Sequence, residues 1–318
     1  MKILITGGAG FVGSHLTDRL LAEGHQILVI DNYQTGRRDN LKPHQNLQIV
    51  EGTIADKELV NQLFNDFLPE QVVHAAASYK DPNAFEEDVL TNVLGTVYLV
   101  EAAKKVNVKR FIYFQTALCY GLKPVEQPIT FNHPLFSGGY PGGSSYAISK
   151  TSGEQYIELS GLDFISFRLA NAYGPRNISG PLPTFYQRLT TNKACFVMDT
   201  RRDFIYVHDL VDVVMKALKG VGTRGYYHIS TGSDYSIKEL FDATISALNI
   251  KLEKEVEVRP RGEDDVFTIL IDPSKTNKDF DWKASTPLNV GVKNAIDYYK
   301  EFGIEQTFTH LKHIDEKH

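Results

Sequence analysis

The 318-residue chain holds only two cysteines, one tryptophan and three methionines. Two thiols, Cys119 and Cys195, are too few for a disulfide framework, and no Cys/His cluster has the spacing of a zinc site, so no metal is expected. Each cysteine reads as a small core residue. No apolar run approaches the ~20 residues that span a bilayer. The N-terminal apolar stretch is broken at once by Gly7, Gly8 and Gly10, which predicts a soluble, cytoplasmic protein with no membrane partner. The formal net charge is -5, with Lys and Arg scattered among acids, so there is no footprint for nucleic acid. Repeats, low-complexity tracts and charge blocks are also missing. Small molecules are the expected partners.

What is present is an alternation of strands and helices. Lys2 to Thr6 is a short apolar run ending in glycines, and apolar residues recur at helical spacing from Phe11 to Leu21. Between them, Thr6-Gly7-Gly8-Ala9-Gly10-Phe11-Val12-Gly13 supplies a tight turn whose backbone N–H groups can approach a pyrophosphate at the positive end of the helix. A second strand, Gln26 to Ile30, ends at Asp31, at the ~20-residue offset where a carboxylate meets an adenosine ribose. A carboxylate accepts from a free 2′-hydroxyl and repels a 2′-phosphate, so NAD is expected over NADP, with Arg37 and Arg38 pulling the other way. Strand Leu47 to Glu51, helix Lys57 to Phe67 and strand Gln71 to Ala75 follow. Ala75, Ala76 and Ala77 are small enough for a cofactor to lie against them. A helix from Phe85 to Val106 then leads to strand Arg110 to Gln115. The pattern predicts an α/β fold: a doubly wound Rossmann parallel sheet over residues 1–172, to which part of the later chain returns, and a smaller C-terminal substrate-binding domain over 173–318.

The strand to Gln115 delivers Thr116 to the carboxyl edge of the sheet, where ligands bind in such folds. Its hydroxyl either bonds a substrate or caps a loop. Leu122 to Gly143 is rich in Pro and Gly and reads as a long surface loop that closes over a ligand. It runs into Ser144-Ser145-Tyr146-Ala147-Ile148-Ser149-Lys150. Residues four apart share a helix face, so Tyr146 and Lys150 can address one reacting atom. A phenol titrates near pH 10, and a lysine charge beside it favours the phenolate, which makes the pair a candidate general base. Taken alone, the pair fits a solvated helix face better than a catalytic site; only the rest of the chain reverses that balance. The helix extends to about Leu159, and strand Phe164 to Leu169 follows. Shorter elements come next: helices Thr184 to Thr191, one ending at Leu218, Ile237 to Leu248 and Val290 to Phe302, and a strand near Val256. The tail after Thr309 reads as a frayed end.

The glycine turn, Asp31-Asn32, Val72-Val73-His74-Ala75-Ala76, Thr116 before Tyr120-Gly121, Tyr146 with Lys150, Asn171 with Gly174-Pro175-Arg176, and Arg202-Asp203-Phe204-Ile205-Tyr206-Val207 stand in one order and spacing. In this the chain resembles the extended short-chain dehydrogenase/reductase family that modifies nucleotide-activated sugars. The likeness covers nearly the whole chain and is strongest to the epimerase/dehydratase proteins of bacterial surface-polysaccharide loci, such as the Bordetella O-antigen cluster. It implies that Tyr146 takes a sugar hydroxyl proton while the carbon gives hydride to NAD, that Lys150 holds the nicotinamide ribose, and that Thr116 shares the hydroxyl proton. It implies cofactor contacts from Gly7, Gly10, Phe11, Val12, Gly13, Asp31, Asn32, Ile54, Ala75, Ala76, Ala77, Asn92, Tyr146 and Lys150. Asn171 and Arg202 match positions that meet the substrate diphosphate, as does either Arg259 or Arg261. The helices Phe85 to Val106 and Ser145 to Leu159 match those that pair in homodimers of relatives.

Three departures refine the expectation. Thr53 stands where the family has an adenine-touching Asp, leaving that contact to Ile54. Tyr79, with Lys80 one place late, stands where many epimerases carry lysine. Ala117 and Leu118 replace the Asp-Glu pair of the dehydratases. The sequence therefore predicts an NAD-dependent nucleotide-sugar 4-epimerase working through a transient 4-keto intermediate in lipopolysaccharide precursor synthesis. The alternatives are a dehydratase, an epimerase at another carbon using Cys119, and a non-catalytic NAD sensor. Ile269 falls where plain-hexose enzymes carry a bulky tyrosine, which leaves room for the acetamido group of a UDP-N-acetylhexosamine or its uronic acid; an ordinary strand residue is the other reading.

Overall fold

The computed structural model describes residues 1–136, 144–262, 266–304 and 306–308. The chain forms β1 (Lys2–Thr6), β2 (Gln26–Asp31), β3 (Leu47–Glu51), β4 (Gln71–His74), β5 (Arg110–Thr116) and β6 (Phe164–Leu169), then β7 (Asn171–Tyr173), β8 (Phe196–Met198), β9 (Arg201–Arg202), β10 (Phe204–Tyr206), β11 (Gly225–Ile229), β12 (Tyr235–Ser236) and β13 (Glu257–Arg259). Strands β1–β6 and β11 make one seven-stranded parallel sheet in the order β11-β6-β5-β4-β1-β2-β3. This is the expected doubly wound sheet. The later short strands pair two by two, β10 with β7, β12 with β9 and β13 with β8.

Helices α1 (Phe11–Ala22), α2 (Lys57–Phe67), α3 (Phe85–Asp88), α4 (Thr96–Lys105), α5 (Ser145–Leu159), α6 (Pro181–Thr190), α7 (Val207–Leu218), α8 (Ile237–Leu248), α9 (Ser274–Phe280) and α10 (Leu288–Phe302) complete the chain. A parallel sheet covered on both faces needs apolar side chains on both, which is why the inner strands read as continuous Val/Ile/Leu runs. Successive residues point to opposite faces. Thus Ile3 and Ile5 join one core with residues of α1 and α7, while Leu4 joins the other with residues of α2 and α4. Between the layers, buried His74 bridges Thr6 Oγ1 (2.8 Å) and Thr96 Oγ1 (2.9 Å), so the polar atoms enclosed there are satisfied.

The single helix predicted from Phe85 is interrupted. Val89–Gly95 is π-helical between α3 and α4. The widened turn lets the Asn92 carbonyl accept from Thr96 Oγ1 at 2.7 Å, and it lies so close to α5 that a Cβ on Gly153 would sit 2.6 Å from it. π-turns of this kind often mark functional positions. Helix α6 starts three residues earlier than predicted because Pro181 suits a first helical turn. The strand predicted near Val256 is β13. Strands of two or three residues carry too little periodicity to be read, which is why β8, β9 and β12 escaped the sequence pattern. The predicted surface loop after Leu122 also differs in its described part. Ile129 is fully buried, bridges to Ile271 and bonds Leu270 O at 2.7 Å, so residues near it form a strap pinned to the later chain. Residues 137–143 of that loop and the tail after Thr309 lie outside the described residues.

Candidate active site

The carboxyl ends of β1, β2, β4, β5 and β6 lie along one edge of the sheet, and of the predicted site residues Gly7, Asp31, Ala75, Thr116 and Asn171 stand at or just after them. At the end of β1, Gly7 adopts φ 67°, and a Cβ on it would lie 2.7 Å from Ala76 N. A Cβ on Gly13 would lie 2.2 Å from Gly7 O. Only glycine permits this turn. Gly10 caps α1 without a side-chain bond, and no acidic residue stands in the first turn. The N–H groups of Phe11, Val12 and Gly13 therefore begin a helix with no side-chain acceptor, as a ligand phosphate requires. Ala75 and Ala76 bond Thr6 through their backbone and, with Ala77, remain partly exposed beside the turn. The residues present fit a dinucleotide.

Asp31 closes the cradle at the end of β2. Its carboxylate accepts from Ala9 N at 2.9 Å and Tyr33 N at 2.8 Å, and burial pushes its pKa up against those backbone donors. Asn32 beside it is exposed. The two arginines that blurred the choice of cofactor are turned to acids: Arg37 pairs with Asp39 at 2.6 Å, and Arg38 pairs with Glu51 at 2.7 Å while lying over the Tyr33 ring. Two predicted cofactor residues have a different setting. Ile54 is buried in the core against Gly95. Asn92 is buried and its amide is committed to the protein, with Oδ1 accepting from Ser78 N and Nδ2 donating to Ser78 O and Ser149 Oγ. That amide clamps the β4 exit to α5.

The predicted catalytic residues lie on β5 and on α5, which packs against it. Thr116 ends the strand, and its Oγ1 accepts from Leu118 N at 3.2 Å, capping a 3-10 turn over Ala117–Tyr120. Its O–H proton can still be donated, so capping and substrate bonding are compatible. Ser144 caps α5 through Ala147 N, which places Tyr146 in the first turn and Lys150 one turn on. Lys150 is buried, with Nζ 3.9 Å from the centre of the Tyr113 ring, while Tyr113 Oη donates to Lys150 O at 2.9 Å. Burial lowers the Lys150 pKa to about 7, against the charge of Glu154. Tyr146 departs from the expectation. Its phenol is pushed above its ordinary value, first by burial and then by Tyr79 and Asp88. The desolvated pocket outweighs any help from Lys150, whose own charge is weakened there. Tyr79 stands edge-on to Tyr146 at 6.4 Å. Cys119 is buried and its thiol is pushed well up by burial, which removes it as a proton acceptor.

On the substrate side, Asn171 is exposed just beyond β6. Arg202 on β9 donates through Nη1 to Val266 O at 2.9 Å, and Arg201 N bonds Phe267 O, so that strand and the segment carrying Ile269 lie together. Ile269 is buried in the main core. Arg259 pairs with Glu257 and lies 3.8 Å over the Phe196 ring, whereas Arg261 is exposed. Sequence reasoning missed Asp88 and Tyr113 as neighbours of the catalytic pair. The i, i+4 repeat of Asp88 and Asn92 on one helix was the available signal for the first; Tyr113 gave none.

The sequence matches the NAD dependent epimerase/dehydratase family over residues 3–230. The Bordetella bronchiseptica enzyme WbmH, crystallised with NAD+, superposes with a TM-score of 0.91 at 52% identity, covering 95% of this chain and 99% of that one. WbmG of the same organism, crystallised with NAD and UDP, gives 0.89 at 43% identity over 97% and 98%. A putative UDP-glucose 4-epimerase of Methanocaldococcus jannaschii is 30% identical over 94% of this chain and 98% of its own length. With its glycine turn, Asp31 and Tyr146–Lys150 pair on such a sheet, this chain belongs to the NAD dependent epimerase/dehydratase family.

Proposed function

We propose that the protein is a UDP-sugar 4-epimerase that keeps its NAD through turnover. What supports this reading is that α5, which bears Tyr146 and Lys150, packs against β5 and the 3-10 turn that follows Thr116, and that Ala117, Leu118 and buried Cys119 in that turn offer no acid or base for loss of water. NAD, when bound, supplies a reversible hydride acceptor. Tyr146 Oη removes the proton of the sugar C4 hydroxyl, and Thr116 Oγ1 donates to the same oxygen. Lys150 orients the nicotinamide ribose and contributes positive charge that favours the phenolate. The 4-keto sugar turns within the site, and Tyr146 returns the proton to the oxygen on the opposite configuration. The cradle of Gly7, Gly10, Gly13 and Asp31 holds the cofactor; Asn171, Arg202 and Arg261, the more exposed of the two later arginines, hold the diphosphate.

The division of labour follows residues 1–172 for cofactor and 173–318 mainly for substrate, with β11 and α7 returning to the sheet side. Ile269 in place of the bulky tyrosine of plain-hexose enzymes favours a UDP-N-acetylhexosamine or its uronic acid, while its burial in the main core equally fits an ordinary core residue. A homodimer is supported by apolar side chains left exposed on adjoining helices: Phe85, Val89 and Leu90 beside Ile148, Tyr156 and Leu159. Light scattering of the purified protein checks that state. Among the described residues no helix is long and apolar enough to cross a membrane; this agrees with work in the cytoplasm, and the likeness to surface-polysaccharide epimerases supports a place in lipopolysaccharide precursor synthesis. The test is NMR of candidate UDP-sugars after incubation. A new hexose anomeric signal is expected, and Tyr146→Phe should lower turnover by the ~10²- to 10⁴-fold of a lost general base while retaining NAD. A 6-deoxy methyl doublet would overturn the assignment.

A further inference from the structure

A chain of buried hydrogen bonds runs from α5 to the segment that carries Ile269, and the reaction as described does not use it. Its two ends fix its direction. The Asp272 carbonyl can only accept, so His228, 2.9 Å away through Nδ1, carries its proton there and offers Nε2 as an acceptor. Tyr120 Oη donates to that Nε2 at 2.6 Å and accepts at 2.7 Å from Arg168 Nη1, which can only donate. Arg168 closes the chain on Glu154, through Nη2 at 2.8 Å and Nε at 3.2 Å. All four side chains are buried, and burial holds the His228 pKa down at about 3, so the ring stays neutral and the pattern is the same at any working pH.

The chain joins elements with different tasks. Tyr120 ends the 3-10 turn that Thr116 caps, and Glu154 stands on α5 one turn beyond Lys150. Asp272 lies at the far end of the segment that begins at Val266, where Arg202 holds it. That segment is also pinned by the strap: Ile129 N bonds Leu270 O at 2.7 Å, Asp272 N bonds Ile129 O at 2.9 Å, and the Gln127 amide spans Thr268 O and Leu270 N at 3.0 and 2.9 Å. The strap fixes the shape of the segment, and the Tyr120–His228 bond fixes its distance from the catalytic turn.

We propose that Tyr120 and His228 are positioning residues, which keep the spacing between the catalytic turn and the sugar-binding segment constant while the 4-keto sugar turns in the site. The inference rests on the 4-epimerase reading above. Between loss and return of hydride the sugar ring must give up one set of contacts and take up another, so in that interval the walls of the site retain it. A buried chain in which every member is satisfied resists displacement better than apolar packing, because any shift strands a donor or an acceptor. A wall that yields lets the 4-keto sugar escape. Its C4 stays oxidised, the cofactor keeps the two electrons as its reduced form, the hydroxyl proton passes to solvent, and turnover stops.

The experiment uses the NAD-loaded protein and the UDP-sugar that gives an epimerised NMR signal. Near-ultraviolet absorbance reads reduced nicotinamide for each round of turnover, and NMR reads free 4-keto sugar nucleotide. Tyr120→Phe keeps the ring and breaks both bonds; kcat should fall by up to about 10²-fold, the scale of a misplaced reacting centre, while reduced cofactor and free 4-keto sugar rise to several times the wild-type level. His228→Gln keeps an acceptor for Tyr120 and loses the bond to Asp272, so it should leak in the same way and carries the test if Tyr120→Phe does not fold. The double variant should leak little more than either single one, as two links of one chain do. Tyr299→Phe removes another buried hydroxyl, one that bonds Asn177 O at 2.7 Å; it should lower Tm and leave the leak at the wild-type level. Folded Tyr120→Phe or His228→Gln that leaks no more than Tyr299→Phe would overturn the positioning role, and so would loss of folding in both. Absence of an epimer from the wild type with every UDP-sugar would instead overturn the 4-epimerase reading.

Discussion

Replacing Lys150 by Met should stabilise the NAD-free protein while abolishing its activity. Lys150 is 2% exposed, and burial brings its pKa from 10.5 to about 7. An amine depressed in this way releases a proton on folding. The native state is therefore penalised in full below pH 7, and the penalty fades as pH climbs from 7 through 10.5. Linkage puts it at about 5 kcal/mol at pH 6 and about 2 kcal/mol at pH 9. Met has a similar volume and keeps a soft contact with the Tyr113 ring, but it forfeits the cation–π contact at 3.9 Å, worth about 1 kcal/mol. The net gain is then about 4 kcal/mol at pH 6 and about 2 kcal/mol at pH 9, where the native amine is neutral and has no cation–π contact to lose. For a chain of this length that corresponds to a rise in Tm of about 6 °C and about 3 °C respectively. Scanning calorimetry of wild type and Lys150→Met at the two pH values reads it directly. A variant that is less stable at both, or equally stabilised at both, would refute the picture of a desolvated lysine held for function rather than for stability.

Gly13→Ala should yield protein without NAD, because its Cβ would fall 2.2 Å from backbone Gly7 O and force the turn open; nucleotide released by denaturation and quantified by chromatography checks this. Glu154→Gln should cost about 3–5 kcal/mol in urea unfolding, since it strands the buried Arg168 guanidinium that Glu154 holds at 2.8 Å. Ile269→Tyr should lose turnover of the acetamido sugar through steric overlap while plain UDP-hexose turnover survives, as coupled assays on both would show. Equal losses would make Ile269 a core residue only.

How much of this was legible in the sequence depended on the reach of each signal. The glycine turn, the strand before it, the helix after it and Asp31 were readable because each follows from backbone geometry within a few residues. Tyr146 and Lys150 were readable as a pair because four residues along a helix is one face. The order of the sheet, with β11 drawn in from residue 225 onward beside β6, was not, because strand pairing joins distant segments without a local mark. Nor was the π-helical turn at Asn92, which exists to let α5 approach and to clamp Ser78. The electrostatics lay furthest from view. Lys150 stands next to Tyr146 in pattern, yet burial, with Tyr79 and Asp88 brought in from another crossover, pushes the phenol up. Arg37 and Arg38 look like phosphate ligands in the sequence and are taken up by Asp39 and Glu51 in the structure. Residue type and spacing alone determined which chemistry this chain carries. Desolvation and charge sum over every group that tertiary packing brings near, so only the folded structure decided how each of those residues is tuned.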